Sequence, residues 1–484
     1  MKTLKNLMLL IGLTAMMFSC NESDQAGFDF PDSSGKNAGA QLLTEGGVFI
    51  IEPGGSDDTP AILQAFMDAK AAGPGSVVQL LEGEYHLGLL EIRDFYGSLR
   101  GAGKDKTIIT AIGGIDIDKI WARHLWVDLV KFVGGDVNLS HFTMQTPPGA
   151  LSFGGPGTGH IASLLNFSSF NAIYEPGNES RSINVVIDNV SFKGQLLDGG
   201  PGYVFHYNCL LAVRTGNDFY SPYNWQGDKV PRQNINFKIT NCEFDTFVYG
   251  LGLECIKNGK VIIGEMNNGN IFRNLDQCGG VWESRDSEIN IEGNTFNTIA
   301  SGYGLDLDDY EWYPSLLKDE PPTRATLFNV QNNVFNIDHS NYGLMLRNNR
   351  RTKYPGDIPV AFLLRNNLFN ITDASYVIKA WRTQGMVIRN NKFSGYGNVG
   401  IYISSGNVDG LALGNNISTA EFSQCAIYLG KTTKNWTIVG GNTKGNVINE
   451  GIDNIITGIN VSASDTPLGE RISETLPPMN RLMH

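Results

Sequence analysis

Three aspartates crowd into four positions of the segment SGYGLDLDDYEWY, residues 301–313. Asp306, Asp308 and Asp309 carry like charges, which oppose one another's ionisation unless a positive group or a shared proton lies among them. Apolar and polar residues alternate from Tyr303 onward, which predicts a β-strand with Asp306 and Asp308 roughly 7 Å apart on one face. Such a pair could bind a cation or share a proton, and both arrangements are typical of functional sites.

A repeat places this strand among others of the same kind. Alternating segments such as KITNCEF, NVQNNVF and VIRNNKF each combine Asn with a final hydrophobic residue, about 24 residues apart at the tightest. The final residues are Phe192, Phe244, Phe296, Phe335, Phe369, Phe393 and Ile417, with Phe272 in the gap. A period in the twenties with short strands and little helical periodicity predicts a solenoid of β coils.

A second strand follows each of these segments. Aligned on their first residues, these strands read CLLAVR from Cys209, YGLGLE from Tyr249, CGGVWE from Cys278, YGLDLD from Tyr303, YGLMLR from Tyr342, YVIKAW from Tyr376, VGIYIS from Val399 and CAIYLG from Cys425. Positions one, three and five are mostly apolar and are predicted to face inward, so that positions four and six face outward. The sixth position then gives a row of Arg214, Glu254, Glu283, Asp308, Arg347 and Trp381, and the fourth includes Asp306 and Lys379.

The pattern resembles the right-handed parallel β-helix of the pectate-lyase-like superfamily. The segment SDDTPAILQAFMDAKAAG has an N-cap candidate, Pro60 at the first helical position and Gly73 as a stop, and it resembles the helix that caps the first coil in such proteins. The repeated Asn resembles their stacked Asn ladder. The resemblance implies an all-β, right-handed parallel β-helix solenoid with a short N-terminal capping helix over residues 46–460. It leaves the activity open, because the superfamily includes lyases, hydrolases, epimerases and non-catalytic adhesins.

The N-terminal sequence is typical of a targeting segment. Lys2 and Lys5 precede an apolar run over residues 7–18 that is too short to span a membrane. The Cys20 that follows resembles the lipidated cysteine of a bacterial lipoprotein signal, which makes residues 1–20 the signal peptide. We expect residues 21–45 to be a flexible tether and residues 461–484 a C-terminal tail. The resemblance implies a secreted protein anchored by lipid at the outer membrane of a Gram-negative bacterium, with no other membrane contact.

Charge and cysteine content exclude several other classes of protein. A net charge of −12 and a pI of about 5.1 argue against nucleic acid as a partner. The five cysteines after Cys20 are odd in number and contain no C-x-x-C, so we expect buried thiols and no disulfide framework or zinc site. We expect a monomer.

The predicted outward rows bring several carboxylates together. Neighbouring coils lie about 4.8 Å apart, so Glu254, Glu283 and Asp308 would stack with Asp306 beside them. This set would suit Ca²⁺, which prefers carboxylate oxygens. Alternatively, the flanking arginines screen the acids in a salt-bridge ladder. If the Cys278 strand is shifted by one residue, Glu283 turns inward and the stack loses its middle member.

Long loops leave the same edge of these strands and could form the walls of a groove. Their aromatic rings offer flat surfaces for sugars, and their basic residues would suit an acidic polysaccharide. The candidate substrate-binding residues are Arg214, Trp225, Trp312, Tyr313, Arg350, Arg351 and Arg382.

Three functions are compatible with this arrangement. The first is a lyase that cleaves a uronate-containing polysaccharide by β-elimination, with Arg347 as base, Lys379 as carboxylate clamp, and Asp306 and Asp308 completing the site. The second is a glycoside hydrolase with two catalytic carboxylates, since Asp306 with Asp308, or Glu283 with Asp306, could have a suitable spacing. The third is a non-catalytic glycan-binding or adhesion β-helix, which would need the aromatic loops but no particular geometry of acids.

Overall fold

The computed structural model describes residues 46–116, 127–147, 150–152, 161–169, 182–195, 209–216, 233–282, 284–308, 326–347, 361–404 and 409–462. The predicted signal peptide with Cys20, the tether and nearly all of the tail lie outside the described residues. So do the site candidates Trp225, Glu283, Trp312, Tyr313, Arg350 and Arg351, as does Asp309.

All the strand pairs are parallel, and the strands fall into three columns that run along the solenoid. The first column contains β1 (Val48–Ile51), β2 (Ser76–Leu80), β11 (Ser182–Asp188), β14 (Asn234–Thr240), β16 (Lys260–Ile263), β18 (Glu288–Glu292), β20 (Leu327–Gln331), β23 (Ala361–Arg365), β26 (Val387–Arg389), β28 (Leu411–Leu413), β30 (Thr437–Val439) and β33 (Ile455–Thr457). The second contains β3 (Gly83–Leu87), β5 (Thr107–Ala111), β8 (Thr143–Gln145), β12 (Ser191–Lys193), β21 (Val334–Ile337), β24 (Leu368–Ile371), β31 (Asn442–Lys444) and β34 (Asn460–Ser462).

The third column carries the candidate site. Its separate strands are β10 (Ile161–Ser168), β13 (Cys209–Thr215), β22 (Ser340–Arg347), β25 (Ala374–Trp381) and β32 (Val447–Asn449). Long strands bend from one column into the next: β4 (Leu90–Arg100), β7 (Val127–Ser140), β15 (Glu243–Glu254), β17 (Ile271–Trp282), β19 (Thr295–Asp308), β27 (Lys392–Ile403) and β29 (Asn416–Leu429). A small additional pair consists of β6 (Ile115–Asp116) and β9 (Leu151–Ser152). The chain is therefore a right-handed parallel β-helix, as the sequence predicts.

Stacked rings and a ladder of amides hold successive coils in line. The phenylalanines of the repeat stack in the core, with ring centroids 4.5 Å apart for Phe244 and Phe272 and 4.9 Å for Phe296 and Phe335. Beside them, each buried asparagine amide donates to the side-chain oxygen of the next coil along Asn270, Asn294, Asn333, Asn367, Asn391 and Asn415. The ladder satisfies polar groups that would otherwise be buried without partners.

The N-terminal helix α1 (Thr59–Ala72) covers the first coils, as predicted. Its buried face is Ile62, Ala65, Phe66 and Ala69. The ring of Phe66 lies edge-on to Phe95, with centroids 4.9 Å apart. The helix thus shields the open end of the hydrophobic core from water.

The buried-thiol prediction is confirmed for Cys242, Cys255, Cys278 and Cys425, all of which are free and buried. Within the described ranges, no helix is both long enough and apolar enough to cross a bilayer.

Candidate active site

The candidate site lies on the outward side of the third column. Backbone pairing between neighbouring coils determines which of its residues lie side by side. Asp306 pairs with Met345, which pairs with Lys379, while Asp308 pairs with Arg347, which pairs with Trp381. The predicted alignment of the strands from Tyr303 through Cys425 is confirmed by these and the following pairs. The fourth and sixth positions of these strands form the two outward rows.

The first positions of the same strands do not face the core, contrary to the prediction. Tyr376 packs with Val399, Tyr402, Cys425 and Tyr428 in a cluster separate from the main core. The alternation fails because both the second and the third positions face inward. Glycine permits this tight bend: a Cβ on Gly304 would lie 2.2 Å from the carbonyl oxygen of Gly343.

Two other predicted alignments are wrong. The strand β17 is shifted by one residue, so Gln277 rather than Cys278 pairs with Tyr303, and Trp282 rather than Glu283 pairs with Glu254. The strand β13 is shifted by two residues, which brings Arg214 level with Gly252.

Arg347 lies between the two aspartates of the opening segment. Its Nη2 forms an ion pair with Asp306 and lies 3.0 Å from Oδ2 of Asp308. The side chain of Asp308 is fully buried, whereas that of Asp306 is 14% exposed. One guanidinium thus offsets part of the negative charge of the crowded carboxylates, as in the salt-bridge alternative.

The environment raises the pKa values of both Asp306 and Arg347. Burial raises the pKa of Asp306, and the Arg347 charge and a hydrogen bond from Trp282 only partly oppose that rise. Burial alone would lower the pKa of Arg347, but the charges of Asp306 and Asp308 raise it overall. Arg347 therefore stays protonated, and its predicted role as a base is not supported.

Lys379 lies in a cage of tyrosines on the next coil. Its Nζ lies 3.2 Å from the hydroxyl oxygen of Tyr342, and 4.7 Å from the ring centroids of both Tyr342 and Tyr376. The ring of Tyr402 lies 5.7 Å away on the far side. Burial and the nearby charge of Arg347 lower the pKa of Lys379 to about 8. Alternation in the sequence hid these tyrosines, because it assigned Tyr342 and Tyr376 to the core.

Arg214 belongs to a second cluster, toward the N-terminal end of the same face. Its Nε and Nη2 each donate to Asp128 at 2.9 Å, and Ser163 and Asn166 also donate to that carboxylate. Burial would raise the pKa of Asp128, but the Arg214 charge and these hydrogen bonds lower it. The binding role of Arg214 stays a prediction, since Asp128 already engages two of its guanidinium nitrogens.

Arg382 follows Trp381 at the end of β25. Apart from Arg214, it is the only predicted substrate-binding residue within the described ranges. Its guanidinium carbon lies 4.7 Å from the centroid of the Trp381 ring. Because Trp381 pairs with Arg347, Arg382 borders the site.

The predicted calcium donors do not converge in the described part of the chain. Asp306 and Asp308 face Arg347, and Trp282 occupies the level between Glu254 and Asp308. No group of three or more His, Cys, Asp or Glu side chains among the described residues could hold a metal ion. These donors therefore do not fit a Ca²⁺ site, and calcium binding stays a prediction that depends on Glu283.

No protein-family model matches the chain, and no curated protein does. Solved structures with a similar chain path include the A-module of the mannuronan C-5 epimerase AlgE4 from Azotobacter vinelandii, with 16% identity, a TM-score of 0.41, and coverage of 87% of this chain and 98% of that one. A GH87 α-1,3-glucanase from Streptomyces thermodiastaticus strain HF3-3 has 13% identity and a TM-score of 0.45, over 86% of this chain and 68% of that one. The periplasmic alginate epimerase AlgG has 12% identity and a TM-score of 0.36, over 80% of this chain and 77% of that one. These similarities concern the fold and do not extend to the site.

Proposed function

We propose that this chain is an extracellular enzyme that cleaves an acidic polysaccharide by β-elimination at a uronate residue. The observation that carries the proposal is a buried lysine with a pKa of about 8, held by tyrosines one coil from a permanently charged arginine. A base is most effective when its pKa lies near the working pH.

The roles first expected for Lys379 and Arg347 are exchanged in this proposal. Neutral Lys379 accepts the proton from C5 of the uronate. Arg347 stays cationic and stabilises the negative charge that develops on the uronate carboxylate. Because the pKa of Asp306 is raised and its side chain is partly exposed, Asp306 can carry a proton and donate a hydrogen bond to the same carboxylate.

The elimination step balances with the groups present. As the C5 proton moves to Nζ of Lys379, the C5 electron pair forms a C4=C5 double bond and the C4–O bond breaks. The departing oxygen takes a proton from the hydroxyl of Tyr342, which then recovers one from the Lys379 ammonium 3.2 Å away. The pKa of Tyr342 is raised to about 12, mainly by burial, so the hydroxyl is protonated and able to donate.

Incubation with polygalacturonate, polymannuronate and a neutral glucan tests the proposal. We expect ultraviolet absorbance of unsaturated uronate from an acidic polymer and none from the glucan. Proton NMR of the products, in which the C5 proton is lost and a vinylic C4 proton appears, gives a second signal of elimination. Lys379→Met should abolish both signals, and Lys392→Met, on the exposed side of β27, should retain both. New reducing ends without unsaturation would reject β-elimination.

A glycoside hydrolase is the second candidate, and the Asp306–Asp308 pair favours it. Both carboxylates contact the same nitrogen of Arg347, so their Oδ2 atoms lie within two hydrogen-bond lengths of each other. That is closer to the separation of a retaining pair than to that of an inverting pair. The raised pKa of Asp306 would suit a general acid. Reducing ends that depend on Asp306 but not on Lys379 would select this function.

We further propose that the chain acts at the cell surface, anchored through a lipid on Cys20. Labelling of expressing cells with a fatty-acid analogue should tag the wild-type protein, and Cys20→Ser should prevent the tagging. Recovery of the wild-type protein entirely in the soluble fraction, without label, would contradict the anchor.

A further inference from the structure

The outward face has two neighbouring glycines between its two arginine clusters. Along the fourth-position row, Arg214 pairs with Gly252, Gly252 with Gly280, and Gly280 with Asp306. Two successive coils thus have glycine in the gap between the Arg214–Asp128 pair and the Arg347 cluster. With coils roughly 4.8 Å apart, the gap is wide enough for a flat ring.

The indole of Trp282 lies across this gap. A Cβ on Gly280 would be 1.9 Å from Cζ2 of Trp282. One on Gly252 would be 2.6 Å from Cδ2 of Leu211 and 3.3 Å from Cζ3 of Trp282. The ring of Tyr249 supports it edge-on, with centroids 6.2 Å apart and planes at 86°. The ring therefore rests on the two glycines, and a side chain at Gly280 would displace it.

Two observations distinguish this tryptophan from one that merely fills the core. It is only partly buried, unlike Trp436, which is 1% exposed. Its indole also lies over Gly280, the residue that pairs with Asp306, which places the ring beside the candidate catalytic cluster. An aromatic ring resting on a sheet beside reactive groups offers a flat apolar surface with a polar edge, which suits a carbohydrate ring.

We propose that Trp282 is the floor of a sugar-binding subsite, on which a pyranose ring of the polysaccharide stacks next to Asp306 and Arg347. The subsite rests on the proposed function in that its ligand is a polysaccharide. It does not depend on the reaction type. Gly252 and Gly280 act as positioning residues, since they allow the indole to lie flat against the sheet.

The test measures binding separately from turnover. Affinity electrophoresis of the Lys379→Met protein in gels with polygalacturonate, polymannuronate or a neutral glucan identifies a retained polymer. Adding Trp282→Ala should weaken retention on that polymer at least tenfold, and Trp282→Phe should weaken it less. Gly280→Ala keeps the tryptophan but displaces its ring, so it should behave like Trp282→Ala. Trp436→Phe, which changes a buried tryptophan elsewhere, is the matched control.

Kinetics with Lys379 intact provide the second measurement. Trp282→Ala should raise KM at least tenfold and lower kcat by a smaller factor, because it removes binding and leaves the proton-transfer groups in place. Circular dichroism and melting curves establish that each variant is folded. Retention within twofold of the parent in a folded Trp282→Ala protein would overturn the subsite, as would no retention of the parent on any polymer. Turnover that survives Lys379→Met would overturn the proposed reaction and leave the subsite intact.

Discussion

The Nζ atom of Lys379 lies 3.2 Å from the hydroxyl oxygen of Tyr342, on neighbouring coils of the same column. Only 4% of Lys379 is exposed, so its ammonium form has lost most of the water that would stabilise the charge. The pair thus combines a lysine that is readily neutral with a hydroxyl that stays protonated. Proton transfer to and from a sugar requires both properties.

Replacing Lys379 by methionine should abolish activity while stabilising the fold. At pH 7 the lysine is protonated in both the folded and the unfolded chain, so the full cost of burying its charge is present. Removing that cost should add up to about 3 kcal/mol to the free energy of unfolding at pH 7, less what the tyrosine contacts contribute. Urea denaturation and initial rates measure the two effects. Unfolding of the variant at lower urea than wild type would contradict the buried charge.

The same lysine should make wild-type stability depend on pH. Between about pH 8, the pKa in the folded chain, and the ordinary lysine value the unfolded chain binds more protons, so the free energy of unfolding should rise with pH. The Lys379→Met protein should lack this rise. If the free energy of unfolding changes with pH equally in the two proteins over this range, the lowered pKa of Lys379 is contradicted.

The pH dependence of kcat/KM should report the Lys379–Tyr342 contact. Because the neutral amine is the base, kcat/KM should increase about tenfold per pH unit below about 8 and level off above it. Tyr342→Phe removes an oxygen that accepts a hydrogen bond from the ammonium, so the inflection should move to lower pH while kcat falls. Tyr396→Phe, which alters an exposed ring, is the control. If the pH of the inflection is the same in Tyr342→Phe as in wild type, Tyr342 does not contact the group that titrates.

Asp308 should matter more for stability than Asp306. Asp308→Asn removes a fully buried partner of Arg347, and breaking such a pair costs about 3 kcal/mol or more. Asp306→Asn should cost less, since its carboxylate is partly exposed and burial already disfavours its charge, yet it should reduce activity strongly. Asp338→Asn, at an exposed ion pair with His339, should change stability by less than about 1 kcal/mol. Denaturant titrations rank the three variants, and equal costs for Asp308→Asn and Asp338→Asn would refute the buried pair.

Chelation should leave the enzyme active. Arg347 lies between Asp306 and Asp308, and the raised pKa of Asp306 favours its protonated form, so these two groups need no metal ion to coexist. Activity after dialysis against EDTA should stay within about twofold of the untreated protein, a small change on the scale of catalytic effects. Loss on chelation with recovery on adding Ca²⁺ would show that other donors, Glu283 first among them, complete a metal site.

The repeat was predictable because every coil has to bury the same kinds of side chain. The row from Phe244 through Phe393 and the asparagines beside it recur wherever a coil turns, since a buried ring and a satisfied amide are required there every time. The N-terminal helix α1 could likewise be predicted, from Pro60 and Gly73. These features depend on local sequence and burial alone.

The alignment of strands was predictable only where polar and apolar residues alternate. The strands that contain Asp306, Arg347 and Lys379 have a clear outward pattern, and their pairing is as expected. The segment CLLAVR is apolar at its first five positions and gives no such pattern, so Arg214 was misplaced by two residues. The segment CGGVWE was misplaced by one residue, so that Glu283 was expected where Trp282 pairs with Glu254.

By itself, then, the sequence determined a parallel β-helix and the presence of an arginine, a lysine and paired aspartates on one outward face. Only the tertiary structure decided that Arg347 is the permanent cation, that Lys379 is the titrating group, and that Trp282 covers two glycines beside them. The physical reason is that burial and contacts between coils set pKa values and register. Residues some 24 to 40 positions apart in the chain supply those contacts, as the amide ladder illustrates.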